Sequence, residues 1–316
     1  MRYVGFDIGG TAIKAGLVDE NGSILERRTA PTPTTELGEF VSTLTAIHRE
    51  FAGSSPVAGV GIGVPGLVSS RTRKVVASAH VPCLEDVDLG KVLNGQMGAP
   101  VLIDNDANAA AYGEFACGLG QGLQHMACLT LGTGLGSGLI FYGRLFRGAS
   151  GYAGEMGHVP IEPAGRRCDC GAHGCVETWV SASGMVTTAK ELIEGSPEKA
   201  RGRFPGPEVL TAEAIYEAAV AGDALALRVF EITGRHLGIV AASLMNLLNL
   251  QLIVVSGGVM AAGALLLEPA ILEAQRRAFR AAFEDCPIVQ SRLWPDAGVA
   301  GAAMLARDHG KGGSPQ

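Results

Sequence analysis

Three thiols fall within eight residues in Cys168-Asp169-Cys170-Gly171-Ala172-His173-Gly174-Cys175, and His158 lies ten residues before the first of them. Thiolate sulfur and imidazole nitrogen are the ligands that tetrahedral Zn2+ prefers, and three Cys with one His make a closed, structural set. Gly171 and Gly174 let so short a loop fold back until its thiols converge. Spacing alone does not choose between His158 and His173 as the imidazole. Cys83, Cys117, Cys128 and Cys286 stand apart and read as small apolar residues. Seven cysteines in a chain of this size argue against a secreted disulfide framework.

A second constellation is Asp104-Asn105-Asp106-Ala107-Asn108, between Pro100–Ile103, which reads as a short buried strand, and an Ala-rich helical stretch. Asp and Asn are the preferred N-caps of helices, and from the residues alone capping is the simpler reading. An acid at a strand end is also where a general base can stand.

The third feature is glycine, 45 of 316 residues, with no G-X-Y period to make it collagen. Much of it sits at strand ends. Tyr3–Ile8 runs into Gly9-Gly10-Thr11, Met126–Leu131 into Gly132-Thr133-Gly134-Leu135-Gly136-Ser137-Gly138, and Leu252–Val255 into Ser256-Gly257-Gly258. Backbone without Cβ atoms can bring its N–H groups against phosphate oxygens. None of the three fits G-x-x-x-x-G-K-[ST], nor G-x-G-x-x-G between strand and helix, which disfavours P-loop and Rossmann readings. Asp7 supplies an acid beside the first turn, where a Mg2+–phosphate complex needs one. Lys14 is placed either to reach a phosphate or to be an ordinary surface lysine.

The elements that must carry these groups are mixed α/β. After the first turn come a strand Ile13–Val18, a hairpin signal Asp19-Glu20-Asn21-Gly22, a strand Ser23–Thr29 and a loop Pro31–Thr34. Leu37, Phe40, Val41, Leu44, Ile47 and Phe51 recur at helical spacing, and Val57–Val64 is a strand ending at Pro65-Gly66. Two strand–glycine turn–strand units half a chain apart imply a duplicated architecture. Thr211–Ala221 and Asp223–Leu250 read as helices, and the tail Gly310–Gln316 as frayed. Leu237–Leu267 carries no charge, but Asn246, Asn249, Gln251 and Ser256-Gly257-Gly258 break it into buried helix, buried strand and turn rather than a membrane span. The net charge is −6 with pI 5.7, and no basic run tracks a nucleic-acid backbone. Met1-Arg2-Tyr3 leads straight into the first strand, which leaves no targeting segment and makes the expected compartment cytoplasmic.

Asp7-Ile8-Gly9-Gly10-Thr11-Ala12-Ile13-Lys14 resembles the first phosphate motif of the sugar kinase/actin/Hsp70 superfamily. Leu131-Gly132-Thr133-Gly134 resembles the second, and Val255-Ser256-Gly257-Gly258-Val259 the adenosine motif. Gly154-Glu155-Met156-Gly157-His158, followed by Cys-x-Cys-Gly-x-x-Gly-Cys-x-Glu ending at Glu177, resembles the signature of the ROK family of sugar kinases and sugar-sensing repressors. The resemblance implies two RNase H-like lobes, 1–118 completed by 297–316 and 119–296, with ATP and Mg2+ in a cleft between them. It implies Asp7, Gly9, Gly10, Thr11, Lys14, Gly132, Thr133, Gly134, Gly257 and Gly258 at the nucleotide. It also implies structural zinc on His158, Cys168, Cys170 and Cys175, with Gly66, Asn105, Asp106, Glu155, His158 and Glu177 around the sugar.

Asn-Asp-x-Asn-Ala at 105–109 is similar to the family's catalytic motif, which reverses the capping preference and implies Asp106 as general base. The expected activity is transfer of the ATP γ-phosphoryl to a hexose 6-hydroxyl, with glucose first and N-acetylglucosamine, N-acetylmannosamine or fructose as alternatives. A family repressor carries a helix-turn-helix before the first phosphate motif, for which Asp7 as the seventh residue leaves no room. The expected partners are therefore a small sugar and copies of the chain in a homodimer or homotetramer, with no nucleic acid and no membrane. One loop departs from the family pattern. In Ala77-Ser78-Ala79-His80-Val81-Pro82-Cys83-Leu84, His80 stands where glucokinases of the family usually have Asn and Leu84 where they have Trp.

Overall fold

The computed structural model describes residues 1–53, 56–195 and 210–310. The strands are β1 (Arg2–Ile8), β2 (Ala12–Asp19), β3 (Ile24–Pro31), β4 (Val60–Val64), β5 (Leu67–Val68), β6 (Val75–Ala77), β7 (Val101–Asn105), β8 (Met126–Leu131), β9 (Leu135–Phe141), β10 (Arg144–Leu145), β11 (Leu252–Ser256) and β12 (Ile288–Gln290). The helices are α1 (Leu37–Ala52), α2 (Leu89–Leu93), α3 (Asp106–Cys117), α4 (Glu177–Val180), α5 (Ala182–Gly195), α6 (Ala212–Val220), α7 (Ala224–Leu248), α8 (Ala264–Arg277), α9 (Arg280–Glu284) and α10 (Ala297–His309). The tail expected to fray lies, beyond Gly310, outside the described residues. Two compact units emerge, one from Met1–Cys128, Gly138–Gly154 and Ser291–Gln316, the other from Leu129–Ser137 and Glu155–Gln290.

In the first unit the sheet order is β3-β2-β1-β4-β7. The β1–β2–β3 meander is antiparallel, whereas β4 and β7 join parallel to β1. Parallel register matters here. Asp7 pairs with Gly63, and Gly63 with Asp104, so the carboxyl ends of three strands finish side by side. One face is covered by α1, whose Phe40, Leu44 and Phe51 are buried against Phe6, Ile13, Leu17 and Ile62. On the other face α10 lies directly on the strands. A Cβ on Gly5 would fall 1.9 Å from Val299 O, and one on Gly61 1.8 Å from Ala302 O.

The second sheet runs β10-β9-β8-β11-β12. In the second unit α7 packs on α8 through Gly234 and Gly238, where a Cβ would meet Leu266 O at 2.6 Å and Ala270 O at 2.4 Å. Asp223 caps α7 by accepting from Leu225 N and Ala226 N, and Asn249 ends it in the left-handed conformation. The uncharged stretch at 237–267 is thus helix, strand and turn. Among the described residues no helix is long and apolar enough to cross a membrane.

Two expectations need correction. Pro100–Ile103 is not a fully buried strand: β7 is the sheet edge, and Val101, Leu102 and Ile103 are only half-buried. The second glycine turn is shorter than its sequence suggests, because β9 begins at Leu135. Gly138 is a packing glycine in that strand, with Ala111 Cβ 2.4 Å from where its own Cβ would be.

Candidate functional site

In the first unit the acids collect at the carboxyl end of the sheet. Asp7 is the penultimate residue of β1 and faces Lys14 across the antiparallel pair. Burial pushes its carboxyl above the ordinary range, and Lys14 opposes the shift. The turn after it is closed by Gly9 N donating to Ala12 O at 3.0 Å, with Thr32 Oγ1 donating to Gly9 O at 2.7 Å. Thr11 O accepts from Thr32 N at 3.0 Å, so the whole turn is held from one side. His80, from the divergent loop, flanks it: a Cβ on Gly10 would sit 3.1 Å from His80 Cβ. Leu84, the other divergent position, is fully buried in the core of this unit.

Asn105 and Asp106 straddle the junction of β7 and α3. Asn105 is the helix cap, accepting from Asn108 N through Oδ1 at 3.0 Å. Its Nδ2 donates to Asp106 Oδ1 and to Gly66 O, both at 3.0 Å. Capping and carboxylate placement are therefore not rivals, since one amide does both. Gly66 reaches this position at φ 113, where a Cβ would fall 2.0 Å from Ala77 O. Gly63 clears space as well, because a Cβ there would press on Asp106 Cα at 3.2 Å.

In the second unit Gly132 N donates to Gly134 O at 2.9 Å, folding the turn between β8 and β9. Thr133 is exposed at its tip, and its carbonyl accepts from Ser183 Oγ at 3.0 Å. Glu177 Oε2 accepts from Leu135 N at 2.8 Å and lies 2.4 Å from where a Gly134 Cβ would be. The structure thus ties this acid to the second glycine turn, a link its motif did not suggest. Gly257 has φ 98, and a Cβ on it would strike Leu131 O at 2.2 Å, so the third turn lies against the end of β8. Around Gly258 there is open space.

Also in this unit, His158, Cys168, Cys170 and Cys175 offer one ligand atom each, all within 4.8 Å of one another. Cys170 Sγ to Cys175 Sγ and Cys168 Sγ to His158 Nδ1 are both 3.6 Å. A tetrahedron with Zn–S bonds of about 2.3 Å has edges of about 3.8 Å, so the four fit such an ion. His173 lies outside this set, and its main chain pairs with that of Arg167. Burial, aided by Cys170 and Cys168, pushes the Cys175 thiol up to about 12, and burial raises Cys168. The Ala172 N–H lowers Cys170. A bound cation reverses such upward shifts by holding thiolates outright. Gly174, at φ 75, is required because a Cβ would fall 1.6 Å from Glu162 O. Glu155 is exposed just ahead of His158.

Two residues that no motif flagged hold these parts in place. Arg166 lies over the Trp179 ring at 3.8 Å and donates to Thr178 O at 2.5 Å and Thr188 Oγ1 at 2.9 Å, pinning the cysteine loop to α4 and α5. Arg147 pairs with Asp104 at 2.6 Å, beside the Asn105–Asp106 junction.

The sequence profile of the ROK family matches residues 3–309. The chain belongs to the ROK family. Over 313 residues it is 35% identical to a glucokinase of Halalkalibacterium halodurans, covering 96% of this chain and 94% of that one. A ROK glucokinase of Streptomyces griseus, solved with glucose and AMPPNP, is 35% identical and superposes with a TM-score of 0.85 over 98% of this chain and all of that one. An N-acetylmannosamine kinase of Escherichia coli is 30% identical across 97% of this chain and 99% of its own length. The two mixed α/β units are the lobes of the actin-like ATPase fold of ROK proteins.

Proposed function

We propose that this ROK protein is an ATP-dependent hexose kinase, with glucose as its preferred acceptor and Asp106 as general base. The observation that carries the reading is the Asn105–Asp106 junction, where a carboxylate at a strand end is fixed by the amide that also caps the following helix. In the transfer, the sugar O6 bonds to the γ-phosphorus as its proton passes to Asp106, and the bond from γ-phosphorus to the β–γ bridging oxygen breaks to release ADP. Such transfers proceed through a loose transition state, so position and charge do most of the work. Asp7 and Lys14 stand beside the first glycine turn, where Asp7 would face Mg2+ and Lys14 a phosphate. Gly9, Gly10, Thr11, Gly132, Thr133 and Gly134 would present N–H groups to phosphate, and Gly257 and Gly258 would flank the adenosine. Gly66, Asn105, Glu155, His158 and Glu177 would border the sugar. A carboxylate accepts from two hydroxyls at once, which suits a polyol. Glucose is favoured by the 35% identity to the Streptomyces griseus and Halalkalibacterium halodurans enzymes.

The test is a panel of glucose, N-acetylglucosamine, N-acetylmannosamine and fructose, with ATP and with polyphosphate as donors. Glucose with ATP should lead in kcat/KM by about tenfold or more, the scale on which a pocket separates close analogues. Another leading sugar would replace glucose, and no turnover on any sugar would end the kinase reading.

His158, Cys168, Cys170 and Cys175 are proposed to hold structural Zn2+. Elemental analysis of the native protein should give about one zinc per chain, as a four-ligand closed site requires. Cys175→Ser should lose the metal and lower Tm. A native protein that is active without metal contradicts the assignment.

A further inference from the structure

Asp104 is 6% exposed, and a buried carboxylate must be surrounded by donors. It has four. Oδ1 accepts from Asn105 N at 2.8 Å and from Asn108 Nδ2 at 2.9 Å. Oδ2 accepts from Arg147 Nε at 2.8 Å and lies 2.6 Å from its Nη2 in an ion pair. The two residues gathered on Oδ1 stand on either side of Asp106, one and two positions away. Asn105 in turn caps Asn108 N and holds Asp106 Oδ1. A closed ring of hydrogen bonds thus runs from Asp104 to Asn108, to Asn105 and back, with Asp106 attached to it. Arg147 is its anchor in a different segment, one fastened by Ala153 N donating to Arg147 O at 3.1 Å and Ser70 N donating to Ser150 O at 2.9 Å.

We propose that Arg147, acting through Asp104, is a positioning residue that sets where the Asp106 carboxylate stands. This rests on Asp106 being the general base. Arg147 differs from an ordinary surface ion pair in holding a carboxylate whose other oxygen is committed to the catalytic turn. Without it, Oδ2 loses both partners and the strand end is free to rotate. A displacement of about 1 Å at a reacting group costs on the order of 10²-fold in rate.

The guanidinium also lines a cavity of 960 Å³ bounded in part by Ser70, Arg144 and Tyr112. Removing the side chain therefore opens Asp104 to water and small solutes instead of sealing in a bare charge, which favours a folded variant. It also makes the test a chemical one. In Arg147→Ala, kcat should fall about 10- to 100-fold with KM for Mg·ATP within about twofold. Millimolar guanidinium ion, too dilute to denature, should restore part of kcat, and Arg147→Lys should fall between wild type and Arg147→Ala. Asp104→Asn combined with Arg147→Ala should be no worse than the poorer single variant, because the pair acts as a unit.

Hydrogen exchange at residues 104–108, read on the same samples, needs no turnover. Protection should be lost in Arg147→Ala and regained with guanidinium. Unchanged protection, a kcat within twofold of wild type, no rescue by guanidinium, or single effects that multiply would each overturn the positioning role. The general-base reading fails separately, on the Asp106 variant alone. Should Arg147→Ala not fold, Arg147→Lys carries the same comparisons of kcat and exchange.

Discussion

Asp106→Asn should lower kcat by about 10²- to 10⁴-fold, the span usually contributed by a positioned general base. The substitution is nearly isosteric and leaves an oxygen to accept from Asn105 Nδ2 and from Ala107 N, the two bonds that Oδ1 makes. The turn between β7 and α3 should therefore survive, and glucose affinity measured by calorimetry should stay within a few-fold. What is lost is the acceptor for the hydroxyl proton, since an amide oxygen is far less basic than a carboxylate. A variant that turns over at more than about a tenth of the wild-type rate would end the assignment. Loss of glucose binding together with turnover would show instead that Asp106 holds the sugar.

Gly61→Val should be the most damaging change away from the chemistry. A Cβ at Gly61 would lie 1.8 Å from Ala302 O and 2.4 Å from Ala302 C, both main-chain atoms of α10. No rotamer relieves a clash with backbone, so the helix must lift from β4. That helix is also fixed against α3, where a Cβ on Gly301 would lie 1.7 Å from Ala109 O. Overpacking a core costs about 1–3 kcal/mol and more where the surroundings cannot yield. Because backbone cannot yield, about 3 kcal/mol or more is expected, and at about 2–4 °C per kcal/mol Tm should drop by roughly 6–12 °C or more. Gly38→Ala is the control. It lies in α1 with nothing within 4 Å of its would-be Cβ, so it should be neutral or stabilising. Equal Tm values for the two variants would contradict the close approach of α10 to the sheet.

What the sequence disclosed follows from how local each signal is. β1 and β8 were readable because each is a short, mostly apolar run that ends directly in a glycine turn. The cysteine cluster was readable because Cys168, Cys170 and Cys175 are potential sulfur ligands at short range, while the imidazole that joins them was not. His158, and not His173, stands with the three thiols, a loop geometry that spacing cannot encode. Arg147 was invisible because its partner Asp104 is 43 residues away, and an ion pair between distant segments leaves no spacing to read. In α10, small residues are buried on nearly every side, from Ala297 to Ala306, so no 3.6-residue alternation marks it as a helix. The glycine excess pointed at the turns that end β1, β8 and β11, yet Gly5, Gly16, Gly61, Gly113, Gly234 and Gly301 serve close packing of elements.

That packing has a consequence for how the chain is made. At Gly5 and Gly61, β1 and β4 present glycine-floored surfaces that α10 covers, and α10 is synthesised about 230 residues after β4 ends. At roughly 5–20 residues per second, the first sheet waits on the order of ten to fifty seconds for its second face. During that interval an apolar, side-chain-poor surface is open to whatever the nascent chain meets. The lobe that is begun first is finished last, so a ribosome stalled before residue 297 leaves it without the helix that closes it.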